Sequence, residues 1–573
     1  MTKSTQRSAG ILLPAFSPRR EGDLGIGDTR ALLEWIDWAS EHGVGFLQML
    51  PINETGTDNS PYNAISSVAL DPVYLSCDPA DLPWVTKEKW QEARAELGNV
   101  AKDRLVDYAA VRHGKRMLLK SAWSKFSTAD DSVRREFEEF RLEEKDWLDE
   151  YCIFRWLMER NGVGEAWDLW PSDSNAPALA RDLVKSLRTI DPEGMDELLG
   201  FFAWVQWLCF RQWRDVHRHA TRKGVKLMGD IPIGVSWYSA DVFFHQDDFD
   251  LAWSGGAPPE TMFRHDRFIQ QWGQNWGIPL YQWDKMKAEG FPWWTRRIAK
   301  LTEVFHIFRI DHILGFYRIY AFPWRPQRNG GFLDLTEEQA AEITGGKLPG
   351  WKPRPDDTKA NKAANLADGD IRLRAVLAAA DGAEVVGEDL GCVPEYVRPH
   401  LESLGIAGFR IPHWDCDEYD HVIPGKRLPE CSFATYATHD HDTIAAMWGE
   451  FRRVAADSWK DGNERRGANR NLRLLAEFAG VPIHGDGEWP AYGDVIQWSL
   501  TKALLASRAR YAALMATDLF AMTDRYNRPG TVGGENWRLR LPWTLREVND
   551  DPALRQIGVK LQGLIGATAR SPR

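Results

Sequence analysis

The residues of this chain best suited to covalent chemistry are carboxylates at the ends of short apolar runs. In the segment VFHIFRIDHILGF, Asp311 follows Arg309 by two positions, and side chains two apart on an extended strand share a face. Arg309 and Asp311 would then sit together while Phe308 and Ile310 point the other way. A fixed cation beside a carboxylate favours its ionised form, which a nucleophile needs and a proton donor must avoid. The same adjacency also fits a plain Arg–Asp salt bridge.

A second acid, Glu388, ends the apolar run of AEVVGEDLG just before a turn glycine. If one member of the Glu388–Asp389 pair faces inward, partial desolvation beside other carboxylates would raise its pKa and let it hold a proton for a leaving oxygen. If both face outward, the pair is only a solvated loop start. A third cluster, SFATYATHDHDT, places His439, Asp440, His441 and Asp442 after another apolar run. Imidazoles at i and i+2 on an extended chain point the same way, so a metal site competes here with a catalytic one. The cluster follows a late strand rather than the first, which counts against the metal; no metal and no cofactor is expected.

Holding three such clusters at one rim requires parallel strands. Seven apolar runs lead into turns or polar clusters, at residues 44–50, 225–228, 305–310, 385–386, 409–411, 433–437 and 511–515. Helical spacing occupies intervals between most of them, as at 29–40 and 504–510, and strand alternating with helix predicts a parallel sheet. The predicted class is α/β, a (β/α)8 barrel formed by residues 1–573 as one catalytic unit. Residues 81–220, rich in Glu, Arg, Lys and Trp at helical spacing, read as a helical insertion. Residues 325–370, polar and rich in Gly, Pro and Lys, read as a long surface loop. Excursions of this kind commonly shape a substrate cleft.

Composition narrows the partners. A net charge of -11 repels phosphate backbones, and no basic stripe with interleaved aromatics offsets it, so nucleic acid is not expected. Cys77, Cys152, Cys209, Cys392, Cys416 and Cys431 are scattered without a CxxC pair, which reads as reduced thiols. The apolar run near the start of the chain stops at Pro14, too short for a secretion signal, and no run approaches a membrane span; a cytoplasmic location is expected. Tryptophan is abundant, 28 against 14 tyrosines. Flat rings with an N–H suit the apolar faces and hydroxyls of sugars, although each indole also suits a core.

An ordered set of blocks now points to a family: SPYNAISSVALDPVYL, GDIPIGV, GGAPPETMF with QQWGQNWGIPLYQW, FRIDHILGF, VGEDLG, THDHDT, and RYNRPG with GGENW. Together they resemble the 4-α-glucanotransferases of the amylomaltase or disproportionating type, glycoside hydrolase family 77. The resemblance implies transfer of a segment of 1,4-α-glucan to the 4-hydroxyl of an acceptor, with malto-oligosaccharides, maltose, glucose and α-glucan polymers as partners; hydrolysis on the same fold is the alternative. It implies Asp311 as nucleophile, Glu388 as acid/base, and Asp440 as the third carboxylate that stabilises the transition state. By the same resemblance Arg309, His439 and Tyr62 contact the sugar beside the scissile bond and Asp230 lies near the nucleophile. Ser60, Gln274, Trp276 and Asn527 line neighbouring subsites. Two departures stand out. His441 replaces the Asn of the usual THDND, and PPETMF puts Glu260 in place of an Asp and lacks a Ser.

Overall fold

The computed structural model describes residues 6–260, 266–485, 487–531 and 533–571. Among these, the strands in chain order are β1 (Ser8–Leu12), β2 (Phe46–Gln48), β3 (Lys226–Ile231), β4 (Phe249–Ala257), β5 (Gln274–Tyr281), β6 (Ile307–Ile310), β7 (Ile319–Phe322), β8 (Gly350–Lys352), β9 (Glu384–Gly387), β10 (Ala407–Arg410), β11 (Ser432–Ala434) and β12 (Tyr511–Met515). Eight of them close a parallel barrel in the order β1, β12, β11, β10, β9, β6, β3, β2. Helices surround it, as expected of a (β/α)8 barrel. The remaining four form an antiparallel sheet in the order β5, β4, β7, β8.

Strand alternation explains why the barrel runs look uniformly apolar. Phe46, Met228, Ile307, Val386, Phe409, Phe433 and Tyr511 point inward and form a separate core inside the barrel. Their neighbours Leu47, Leu227, Phe308, Val385, Ala434 and Ala512 join the main core beneath the helices. Both faces of a barrel strand are therefore buried, so no polar alternation shows. Farther toward the C-terminal ends the inward positions change character, to Gln48 on β2, Asp230 on β3 and Arg309 on β6, all buried. The aromatic plug fits because Gly10 of β1 has no side chain: a Cβ there would lie 2.2 Å from the ring of Phe46.

The sequence reading missed β1, because its apolar run is interrupted by Gly10 and stopped by Pro14. The antiparallel sheet was also missed; its strands FDLAWSGGA and QNWGIPLY mix glycine, proline and polar residues. The helix expected at 504–510 is instead Asp494–Ala506, and residues 508–510 lead into β12.

Between β2 and β3 lie the helices Lys87–Glu96, Tyr108–Phe126, Asp131–Glu143, Lys145–Asn161, Pro177–Ile190 and Pro192–Lys223. The last runs for 32 residues, from the cap Asp191, which accepts from the Gly194 amide, to Gly224 in the left-handed region. Much of the tryptophan goes into this layer. Trp84, Trp123, Phe126, Phe137, Trp204 and Trp207 meet at ring distances between 5.1 and 6.3 Å. Residues 325–370 contain the turn Pro326–Gly331, the helix Glu337–Ile343, β8 and the start of the helix Lys359–Ala379. Among the described residues no helix is long and apolar enough to cross a membrane.

A methyl group at Gly10 has nowhere to go, since Phe46 is fully enclosed. Gly10→Ala is expected to cost about 1–3 kcal/mol by overpacking. Gly449→Ala, on an open face inside the helix Ile444–Ala456, should instead stabilise by up to about 1 kcal/mol. Thermal unfolding of the two variants side by side checks both.

Candidate active site

The ends of β3, β6 and β9 bring together the charged residues of three sequence blocks. Register aligns Asp230 with Arg309 and Ile310 with Gly387. Asp311 and Glu388 thus stand side by side one residue later, on strands about 4.8 Å apart. Their amides continue the ladder, Asp311 donating to the carbonyl of Ile231 at 2.8 Å and Glu388 to that of Ile310 at 2.9 Å. Arg309, only 3% exposed, donates one amino group to Asp230 at 2.5 Å and the other to Asp311 at 2.7 Å. The Tyr62 hydroxyl donates to the same Asp230 oxygen at 2.6 Å.

Tyr62 comes from the loop after β2, and its ring stacks on His439 at 5.3 Å and 17°. His439 follows β11 together with Asp440, whose carboxylate accepts from the Asn527 amide at 2.6 Å. Arg525 fixes that corner by donating to the backbone carbonyls of Asn527 and Asp440, each at 2.6 Å, and to the side chain of Asp442 at 2.9 Å. Direct contacts connect Tyr62 with Asp230, Arg309 and His439, Arg309 extends the network to Asp311, and a second set links His439, Asp440 and Asn527. Trp276 on β5 joins from the side, its ring edge-on to His312 at 4.9 Å. Ser60 stands two residues before Tyr62 and Gln274 two before Trp276; among the described residues no contact ties either directly to the cluster. Glu260 is half-buried, and the Thr261–Met262–Phe263 part of its block lies outside the described residues.

The carboxyls differ in environment. Burial lifts Glu388 to about 8, with Asp311 and Asp389 adding to the lift, against the pull of Arg309 and of the His312 amide, which donates to it at 2.8 Å. Burial also raises Asp230, and it outweighs the opposing charge of Arg309. Asp440 moves the other way. Desolvation would raise it, but His439 and the Asn527 hydrogen bond together hold it below the ordinary carboxylate range. The site thus contains a carboxyl that keeps its proton at neutral pH and a carboxylate that does not.

Sequence reasoning passed over two contributors. His312 adopts a left-handed backbone, φ 45°, and this turn places its N–H on Glu388. Trp537, in the GGENW block, flanks both Tyr62 and His439 at 5.6 and 5.7 Å. Their positions inside the blocks FRIDHILGF and GGENW were the available signal. Of the histidines that suggested a metal, His439 stacks on Tyr62, while Nδ1 of His441 is taken up by the amide and hydroxyl of Thr438.

A sequence profile of the 4-alpha-glucanotransferases, glycoside hydrolase family 77, matches residues 13–546. The chain belongs to this family. The 4-alpha-glucanotransferase of Chlamydia pneumoniae is 29% identical over 552 residues, covering 95% of this chain and 93% of that one. The 4-alpha-glucanotransferase of Thermus thermophilus is 29% identical over 550 residues, covering 93% and 95%. In fold, the chain is similar to the amylomaltase from Streptococcus agalactiae in complex with acarbose, with TM-score 0.75, 23% identity and coverage of 99% and 100%. It is also similar to the amylomaltase from Corynebacterium glutamicum, with TM-score 0.74, 20% identity and coverage of 97% and 75%. A 4-alpha-glucanotransferase must handle a neutral, hydroxyl-rich chain, and the charged cluster at the barrel rim is the polar centre of this one.

Arg309 neutralises Asp230 where water cannot. Arg309→Met is expected to cost about 3–5 kcal/mol by leaving that carboxyl buried with no counter-ion and only the Tyr62 hydroxyl as donor, and Arg309→Lys less. Melting temperatures measured at one pH decide the order.

Proposed function

We propose that the chain transfers a segment of 1,4-α-glucan to the 4-hydroxyl of glucose or a malto-oligosaccharide, with Asp311 as nucleophile and Glu388 as general acid and base. The observation that carries this reading is Asp311 bonded to Arg309 with, on the neighbouring strand end, Glu388 whose proton is retained to about pH 8. In the first step an Asp311 oxygen bonds the anomeric carbon from the face opposite the leaving group. The glycosidic C–O bond breaks and its oxygen takes the Glu388 proton. A retaining reaction of this kind works with carboxyl groups about 5–5.5 Å apart, a spacing that adjacent strand ends supply. The product is a β-linked glucosyl-enzyme, and Glu388 is now a carboxylate.

In the second step Glu388 removes the proton from the acceptor 4-hydroxyl, whose oxygen bonds the anomeric carbon as the bond to Asp311 breaks. Two inversions restore the α-linkage. Asp440, held anionic, accepts from sugar hydroxyls and favours the positive charge that develops on the ring. Arg309, His439 and Tyr62 line the same ring, with Asp230 behind them, and Ser60, Gln274, Trp276 and Asn527 serve the flanking units. Maltose, malto-oligosaccharides and longer α-glucans fit as donors. An acceptor sugar that fills the cleft displaces water, which turns the second step from hydrolysis to transfer. The six free cysteines suit work in the reducing cytoplasm.

Because the acid must be protonated when substrate arrives, kcat/KM for maltotriose should hold through neutral pH and fall above about pH 8; a fall already centred near pH 5 would remove Glu388 from the role. Incubation with maltotriose should yield glucose together with a ladder of longer oligomers, a pattern that Asp311→Ala abolishes. Products no longer than the substrate would mean hydrolysis.

A further inference from the structure

Glu388 and Asp389 are adjacent acids at the end of β9, and only Glu388 enters the proposed reaction. Earlier on that strand Val386 fills the barrel while Val385 joins the outer core. Side chains two apart share a face, so Glu388 takes the inner side with Val386 and Asp389 turns outward, toward β10 and the helix Val397–Ser403. Its carboxylate is fully enclosed there. One oxygen accepts from the Phe409 amide at 2.5 Å; the other accepts from Arg398 of that helix at 3.0 Å and from Arg410 of β10 at 3.3 Å. Gly408 makes the room, since a Cβ at that position would lie 2.9 to 3.1 Å from the Asp389 carboxylate.

A strand and a helix thus grip a carboxylate that no step of the reaction uses. A buried ion cluster often contributes little net stability over apolar packing, so what it supplies is geometry. The geometry here is that of the neighbouring acid. Asp389 stands between Glu388 and Leu390, whose amide donates to one oxygen of Glu388 at 3.0 Å, while the His312 amide donates to the other at 2.8 Å. Pinning Asp389 to β10 keeps that turn, and with it the Leu390 amide, in register with the acid. Arg309, by contrast, bonds Asp230 and Asp311 rather than Asp389.

We propose that Asp389 is a positioning residue for proton delivery: anchored by Arg398, Arg410 and the Phe409 amide, it sets the turn that aims Glu388 at the glycosidic oxygen. The assignment rests on the reading of Glu388 as the acid. It concerns the proton and not the attack by Asp311, whose counter-ion lies elsewhere, and the leaving group separates the two. With α-maltotriosyl fluoride the Asp311 oxygen bonds the anomeric carbon as the C–F bond breaks, and fluoride departs with the electron pair, needing no proton from the enzyme. Maltotriose has a poor leaving oxygen and needs that proton.

The test measures steady-state turnover of maltotriose and the pre-steady-state burst of fluoride in the unaltered protein, Asp389→Asn, Asp389→Ala and Glu388→Ala. In Asp389→Ala a displaced acid should lower kcat for maltotriose about ten- to a hundredfold, with KM within about twofold and the fluoride burst unchanged. Asp389→Asn, which still offers an acceptor to the Phe409 amide, should recover part of the loss. Full maltotriose turnover in both variants would overturn the anchor, as would an equal loss of the fluoride burst, the mark of general damage to the site. If Asp389→Ala melts early, Asp389→Asn decides: a loss confined to maltotriose supports the anchor and unaltered rates overturn it. Glu388→Ala should lose maltotriose turnover and keep the burst; if it turns maltotriose over at the unaltered rate, the reading of Glu388 itself falls, and the role of Asp389 with it.

Discussion

One buried guanidinium organises the working end of this barrel. Arg309 spans two strands' worth of carboxylate, holding Asp230 on β3 with one amino group and Asp311 beyond β6 with the other. Burying an ion is expensive unless it is paired with good geometry, and here the cost is offset by two short charge-assisted bonds and by the Tyr62 hydroxyl. The arrangement spends its charge unequally. Asp230 is sealed in, whereas the side chain of Asp311 keeps 28% of its surface open to the cleft. Arg309 thus serves as counter-ion for an acid that is enclosed and for one that faces the cleft.

The same economy leaves burial to raise Glu388. Glu388 is as close in register to Asp311 as parallel strands allow, yet Arg309 donates to Asp311 and Asp230. Its own donors are backbone amides, from His312 and Leu390, and these do not outweigh burial. The left-handed turn at His312 is the local means by which the residue following Asp311 reaches back to Glu388.

Legibility from sequence followed the number of neighbours a residue needs. The Arg309–Asp311 face could be read because period-2 alternation is a property of one strand; the end of an apolar run showed that Glu388 or Asp389 could turn inward, but not which. That Asp230 would share Arg309 required the register between β3 and β6, which no local pattern encodes. β1 was hidden for a related reason: Gly10 looks like a break, and only the ring of Phe46 on the next strand shows why a glycine stands there. The helical layer was visible as composition, but not its grip on the loop that carries Tyr62. Glu54 of that loop is bonded by Tyr151 and Arg155, and Asp71 by Arg112, all from the helices. The four-stranded sheet had too much glycine and too little alternation to be seen.

The seam of the barrel lies between β1 and β12, pairing Ser8 with Tyr511 and Leu12 with Met515. β1 is therefore completed by a strand some five hundred residues further on, and β2 waits through the whole helical layer for β3. Until residues 511–515 have been made, β1 presents an unpaired edge and the rim that carries Asp311 and Glu388 has no closed floor to stand on. Such distant pairing slows folding, and it makes a truncated chain a hazard to itself rather than a smaller enzyme.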